Sequence, residues 1–200
     1  MAQNRVTDAT AKSAYALVVI GGSTGSLDVL LPVLGALQPP LSVAVVVVIH
    51  RKNTSNSGLA DLLSLKTSVP VYEVDDKDEL KPGNIYLAPA DYHLLVERNG
   101  SFSLDYSEKV HYSRPAIDVT FESAADVYGP AVVGILLSGA NADGTRGLLA
   151  IKQAGGLTAA QQPDTALAAF MPQQAIDSDA VDRVVDVPEL VQLLNGFRAG

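Results

Sequence analysis

The chain has 200 residues, of which 48% are hydrophobic and 18% charged, with a net charge of −8 and no cysteine. That length suits one domain with a sizeable core. The acidic balance, with no basic patch or stripe in the sequence, argues against nucleic-acid binding, and the absence of cysteine excludes disulfides, thiolate metal sites and cysteine nucleophiles.

Residues 1–14 (MAQNRVTDATAKSA) are polar and lack the apolar centre of a signal peptide, so they are predicted as a disordered leader. No apolar run approaches the roughly 18 residues of a membrane span, and a cytoplasmic location is expected. A short apolar, β-branched run predicts a strand over 15–20, stopped by Gly21-Gly22, and helical spacing follows over 25–37 until Pro39-Pro40. Residues 43–49 (VAVVVVI) are apolar without alternation, the habit of a central parallel strand, and end in His50. After the polar stretch 51–58 come a short helix at 59–65 and a strand at 70–74. The acidic stretch 75–79 is read as a solvated loop, since its spacing is not that of a calcium loop.

Strands are predicted at 84–87, 93–96 and 101–106, the last two flanking Asn99-Gly100, a strong hairpin signal. Pro115 is expected to open a helix over 115–128. A third apolar run occupies 131–137, and a helix follows to about 154. A strand at 157–160 and a last helix at 188–196 complete the reading. Alternating strands and helices predict an α/β fold, doubly wound, with a mostly parallel sheet and an appended antiparallel hairpin, in one domain over 15–197.

Residues 21–25 (GGSTG) match the G-x-S-x-G pattern, in which small residues let a strand-to-helix turn push the serine hydroxyl into the open. The plainer alternative is a turn that caps a helix. In an open parallel sheet, loops leaving the carboxyl ends of the strands converge on one edge. Ser23, His50 and Asp143 each follow a different apolar strand, so that edge receives a hydroxyl, an imidazole and a carboxylate. Together these are what acyl transfer requires: a nucleophile, a base titrating near neutrality, and an acid that fixes the base's tautomer. Singly, His50 reads equally as a polar strand end and Asp143 as a cap of the helix after it. The histidines are His50, His93 and His111, so none follows Asp143 and the α/β-hydrolase order of serine, acid, histidine does not fit.

The blocks at 20–25 (IGGSTG), 48–50 (VIH), 82–89 (PGNIYLAP), 113–118 (SRPAID) and 137–144 (LSGANADG) resemble, in order and spacing, those of the chemotaxis protein-glutamate methylesterase catalytic domain. The resemblance runs from about residue 15 to 194. It implies hydrolysis of glutamyl methyl esters on the cytoplasmic helices of methyl-accepting chemoreceptors, and deamidation of glutamines. It implies a triad of Ser23, His50 and Asp143 with an oxyanion donor at the backbone amide of Ala140. Thr24 is expected either to support the serine or imidazole through its hydroxyl or to shape the turn. No metal or organic cofactor is called for, and neither nucleic acid nor direct membrane insertion is expected.

The chain departs from the family pattern in places. Ser26 replaces a second glycine, Arg51-Lys52 replaces Met-Pro, Ser113 stands where a histidine often precedes the Arg-Pro pair, and Ala140 and Asn141 replace Met and Gly before the aspartate. Arg51, Lys52, Arg114 and Arg146 lie beside the blocks and are expected to form a basic substrate rim on an acidic protein. The competing functions are a non-catalytic partner-binding module on the same fold and a small-ester hydrolase. Members of the resembled family commonly carry an N-terminal receiver domain over the site. Only 14 residues precede the first predicted strand, so activity without a phosphodonor is expected.

Overall fold

The computed structural model describes residues 15–51 and 58–199. In chain order the first half holds β1 (Leu17–Gly22), α1 (Ser26–Gly35), β2 (Ala44–Ile49), α2 (Leu59–Ser64), β3 (Val71–Glu73) and β4 (Ile85–Leu87). A hairpin of β5 (His93–Val96) and β6 (Phe102–Asp105) follows. The second half holds α3 (Ile117–Tyr128), β7 (Val132–Leu136), α4 (Thr145–Gln153), β8 (Leu157–Gln161), α5 (Phe170–Asp177), β9 (Arg183–Val185) and α6 (Val187–Asn195).

Seven strands form one sheet in the order β3-β4-β2-β1-β7-β8-β9, and every pairing in it is parallel. The runs that lack alternation are the central strands: every residue of β1, β2 and β7 is buried. Successive side chains of β1 feed opposite faces. Val18 and Ile20 join α1 and α6 through Leu30, Leu34, Leu190 and Leu194, while Leu17 and Val19 join α3 and α4 through Ile117, Phe121, Leu148 and Ile151. Each such side chain contributes about 1.5–3 kcal/mol on burial. Strand order reverses between β1 and β7, and the crevice for a site opens at the carboxyl ends there. No helix among the described residues is long and apolar enough to cross a membrane.

The expected architecture, a doubly wound parallel sheet with an appended hairpin, is the one observed. Three details differ. Pro115 does not open α3, which begins at Ile117; the helix starts where its first amides find the Asp143 carboxylate. α5 and β9 went unpredicted, because α5 buries only Met171, Pro172 and Ala175 and two of the three β9 residues are exposed. The predicted leader 1–14 lies outside the described residues.

The hairpin is fixed to α3. Thr120 Oγ1 donates to Leu94 O at 2.7 Å and Val96 N donates to Ser123 Oγ at 3.0 Å. Buried His93 straps the following segment, its Nε2 3.0 Å from Glu108 O and its Nδ1 accepting from Ala116 N at 3.2 Å.

Candidate active site

Gly22 of β1 and Ile49 of β2 are register partners, so Ser23 and His50 leave adjacent strands side by side. His50 N donates to Gly22 O at 3.1 Å, and Ser23 N donates to Ser138 O just beyond β7 at 2.9 Å. The turn after Ser23 needs Gly25, which has φ +80°; a Cβ there would stand 2.5 Å from Leu167 Cβ and 2.9 Å from Ser138 Oγ. Buried Ser138 closes this junction by donating to Thr24 O at 2.7 Å and accepting from Ala168 N at 2.9 Å.

Asp143 is fully buried, and its Oδ2 lies 2.7 Å from His50 Nε2. It does not cap the helix that follows it, because Gly144 is the N-cap of α4 and supplies no side chain. Instead its Oδ2 accepts from Ile117 N at 2.7 Å and its Oδ1 from Asp118 N at 2.9 Å, the first amides of α3. Burial alone would push this carboxyl up, but the His50 bond and the two amides outweigh it, and the group is held below the ordinary aspartate value. An ionised Asp143 fixes the imidazole proton on Nε2 and leaves Nδ1 as the basic nitrogen.

Ser113 Oγ lies 3.2 Å from that Nδ1. The half-buried Ser23 hydroxyl makes no hydrogen bond among the described residues. It faces a cavity of about 320 Å³ walled also by His50, Leu27, Leu59 and Leu167. A second cavity, of about 520 Å³, shares His50 and Arg51 with the first. The imidazole therefore stands between two open spaces. Thr24 and Ala140 are exposed, and their amides donate to no acceptor among the described residues, as an oxyanion donor requires. The Thr24 hydroxyl likewise bonds nothing described; its carbonyl, held by Ser138, shapes the turn.

The four expected rim residues fare differently. Arg51 pairs with Glu73 and donates to Ala88 O at 3.1 Å, beside His50. Arg114 reaches Asp91 at 2.9 Å, donates to the carbonyls of Tyr106 and Ser107, and stacks 3.7 Å over the Tyr106 ring. Both line the larger cavity. Arg146 is exposed on α4, bonds Glu122 at 2.9 Å and lines neither cavity. Lys52 lies outside the described residues.

Sequence reasoning missed Lys109, saw Ser113 only as a departure, and saw Ser138 and Asp118 only as parts of blocks. Asp118 is nearly fully buried; its Oδ1 accepts from Gly144 N at 2.9 Å and Gly147 N at 2.8 Å, and its Oδ2 faces His111 Nε2 at 3.3 Å. His111, Asp118 and Asp143 bring ligand atoms within 4.8 Å of one another. Yet Asp143 is committed to an imidazole and two amides, so the trio reads as a charge network rather than a metal cage.

The family model described as CheB methylesterase matches residues 18–194. A Leptospira interrogans relative is 38% identical over 179 residues, 90% of this chain and 93% of the relative. A Thermotoga maritima protein named protein-glutamate methylesterase/protein-glutamine glutaminase is 37% identical over 188 residues, 89% of this chain but 54% of that protein. A Halobacterium salinarum protein of the same name is 36% identical, with 52% of its length covered, so the chain spans about half of these longer relatives. The crystal structure of the Thermotoga maritima CheB methylesterase catalytic domain superposes with a TM-score of 0.84 at 33% identity, covering 90% of this chain and 98% of that one.

Proposed function

The chain belongs to the CheB methylesterase family, and on that premise we propose that Ser23, His50 and Asp143 are the triad of a serine hydrolase acting on glutamyl methyl esters. The substrates are the cytoplasmic helices of methyl-accepting chemoreceptors. The observation that carries the reading is the 2.7 Å bond from His50 Nε2 to buried Asp143, with Ser23 on the adjacent strand end and in the same cavity wall.

Nδ1 of His50 takes the Ser23 proton as Oγ attacks the ester carbonyl. The tetrahedral oxyanion is held by the amide of Ala140, whose side chain has no part in the donation. Collapse expels methoxide, which leaves as methanol with the proton from Nδ1. A water, deprotonated by Nδ1, then attacks the acyl-serine, and Ser23 recovers its proton as the glutamate carboxylate departs. Asp143 stabilises the imidazolium in both steps. The same acyl chemistry on a glutamine side chain releases ammonia, in keeping with the glutaminase half of the relatives' names.

Methanol release from methylated receptor fragments, with Ser23→Ala as control, tests the reading. Labelling of Ser23 by a phosphonate probe without receptor turnover would leave a small-ester hydrolase, and no labelling at all would leave a binding module.

A further inference from the structure

The larger cavity has no role in the bond-making steps, yet His50 forms part of its wall. Most of its lining comes from one turn and its flanks, Lys109, Tyr112, Ser113 and Arg114. Val110 N donates to Ser113 O at 3.2 Å and Ser113 N to Val110 O at 2.8 Å, closing a four-residue turn with His111 at φ 49° and Tyr112 at φ 61°. Two successive left-handed residues are the pattern of a type I′ turn, which glycine and asparagine normally fill. Here a histidine and a tyrosine hold it, a disfavoured backbone that persists because the surroundings fix it. Ser113 is held at His50 Nδ1, His111 at Asp118, and His93 straps the chain at Glu108 and Ala116 on either side.

The turn leaves two side chains free. Tyr112 is 98% exposed and lines the cavity. Lys109 is exposed and pairs with no carboxylate among the described residues. The other cations in this wall are neutralised from within the protein, Arg51 by Glu73 and Arg114 by Asp91. On a chain of net charge −8, Lys109 is thus a cation without a carboxylate partner among the described residues, in a wall that also holds His50.

We infer that the 109–114 turn is a recognition element, in which Lys109 and Tyr112 receive an acidic side chain flanking the scissile glutamyl ester. The inference rests on the hydrolase reading and adds to it the local sequence the enzyme prefers. An amphipathic peptide segment with glutamates near the ester fits the recess; one without them loses the Lys109 contact. Tyr112 supplies a rigid amphipathic surface for the same segment.

Two peptides separate the contributions: one γ-methyl glutamate flanked by glutamates, and the same ester flanked by alanines. An exposed pair contributes only a few-fold, and charge reversal replaces attraction with repulsion, so Lys109→Glu should raise KM for the glutamate-flanked peptide about tenfold relative to the alanine-flanked one. That ratio should shrink as ionic strength rises from about 0.1 M to about 1 M, where the screening length falls from about 10 Å to about 3 Å. Lys66→Glu makes the same charge change at an exposed position outside the cavity and should leave the ratio alone. An unchanged ratio in Lys109→Glu, equal losses on both peptides, or a matching effect of Lys66→Glu overturns the inference. Turnover surviving in Ser23→Ala overturns the triad instead, so the two failures are distinguishable.

Discussion

Asp143 and Asp118 cap each other's helices. Asp143, just ahead of α4, accepts from Ile117 N and Asp118 N at the start of α3, and Asp118 accepts from Gly144 N and Gly147 N at the start of α4. Each carboxylate thus satisfies orphan amides of the neighbouring helix, and the pair locks α3 against α4 directly behind His50. The arrangement gives the two acids opposite electrostatic characters: the Asp143 carboxyl is held below the ordinary aspartate value and that of Asp118 is pushed above it.

Replacing Asp143 by asparagine should cost on the order of 10⁴ in turnover, because a neutral amide no longer fixes the base's tautomer. The structure adds a stability cost. Three donors converge on this buried group, and an NH₂ facing one of them costs about 1–3 kcal/mol. Ester turnover and urea unfolding measure the two effects. A variant within tenfold of the parent in rate would reduce Asp143 to a cap of α3.

Asp118 should behave in the reverse manner with pH. Burial is the main cause that pushes its carboxyl up, aided by the nearby Asp143 charge and opposed by the amides of Gly147 and Gly144. A carboxyl raised in the folded state makes the protein more stable below the unfolded value and less so as pH rises through the folded one. Asp118→Asn keeps an acceptor for both amides without the buried charge. It is expected to be no less stable than the parent at about pH 7 and to lose ground to it at about pH 4. Urea midpoints at both values check this; the opposite trend would mean that the His111 contact stabilises the ionised form.

For Asp143 the sign is the usual one for a depressed acid. Its contribution is present above the ordinary carboxylate range and is lost as pH falls through its lowered folded value. Acid unfolding of Asp143→Asn should therefore lack that component, which parallel acid titrations of the two proteins would reveal.

Ser23→Ala should remove essentially all turnover while leaving thermal unfolding unchanged, because the hydroxyl bonds nothing described in the resting site. His50→Ala should be nearly as damaging, since nucleophile and base act as a unit. Methanol release read beside calorimetry separates lost chemistry from lost fold.

Gly25→Ala tests the turn. Left-handed backbone costs a non-glycine residue roughly 1–2 kcal/mol, and the new Cβ would also press on Leu167 and Ser138. Turnover should fall more than stability, because the displaced groups hold the nucleophile turn against the loop carrying Ala140. Equal falls in both would show that the turn matters only for folding.

Much of this protein was legible in its residues. Unbroken apolar runs at β1, β2 and β7 identify central parallel strands, because only strands covered on both faces lose their alternation. Their ends then bring Ser23, His50 and the loop to Asp143 to one edge of the sheet. Local sequence could not choose what Asp143 caps, since the amides it accepts from lie 26 and 25 residues away. Nor could it tell which cations are free. Arg114 stands in a motif block but is consumed by Asp91 and two carbonyls, whereas Lys109, in no motif, is left open by the turn that follows it. Which strands are central and which of their residues are buried follow from side-chain patterning along the chain, but strand order and the partners of a charge are set by packing between distant segments, and only the tertiary structure decides those.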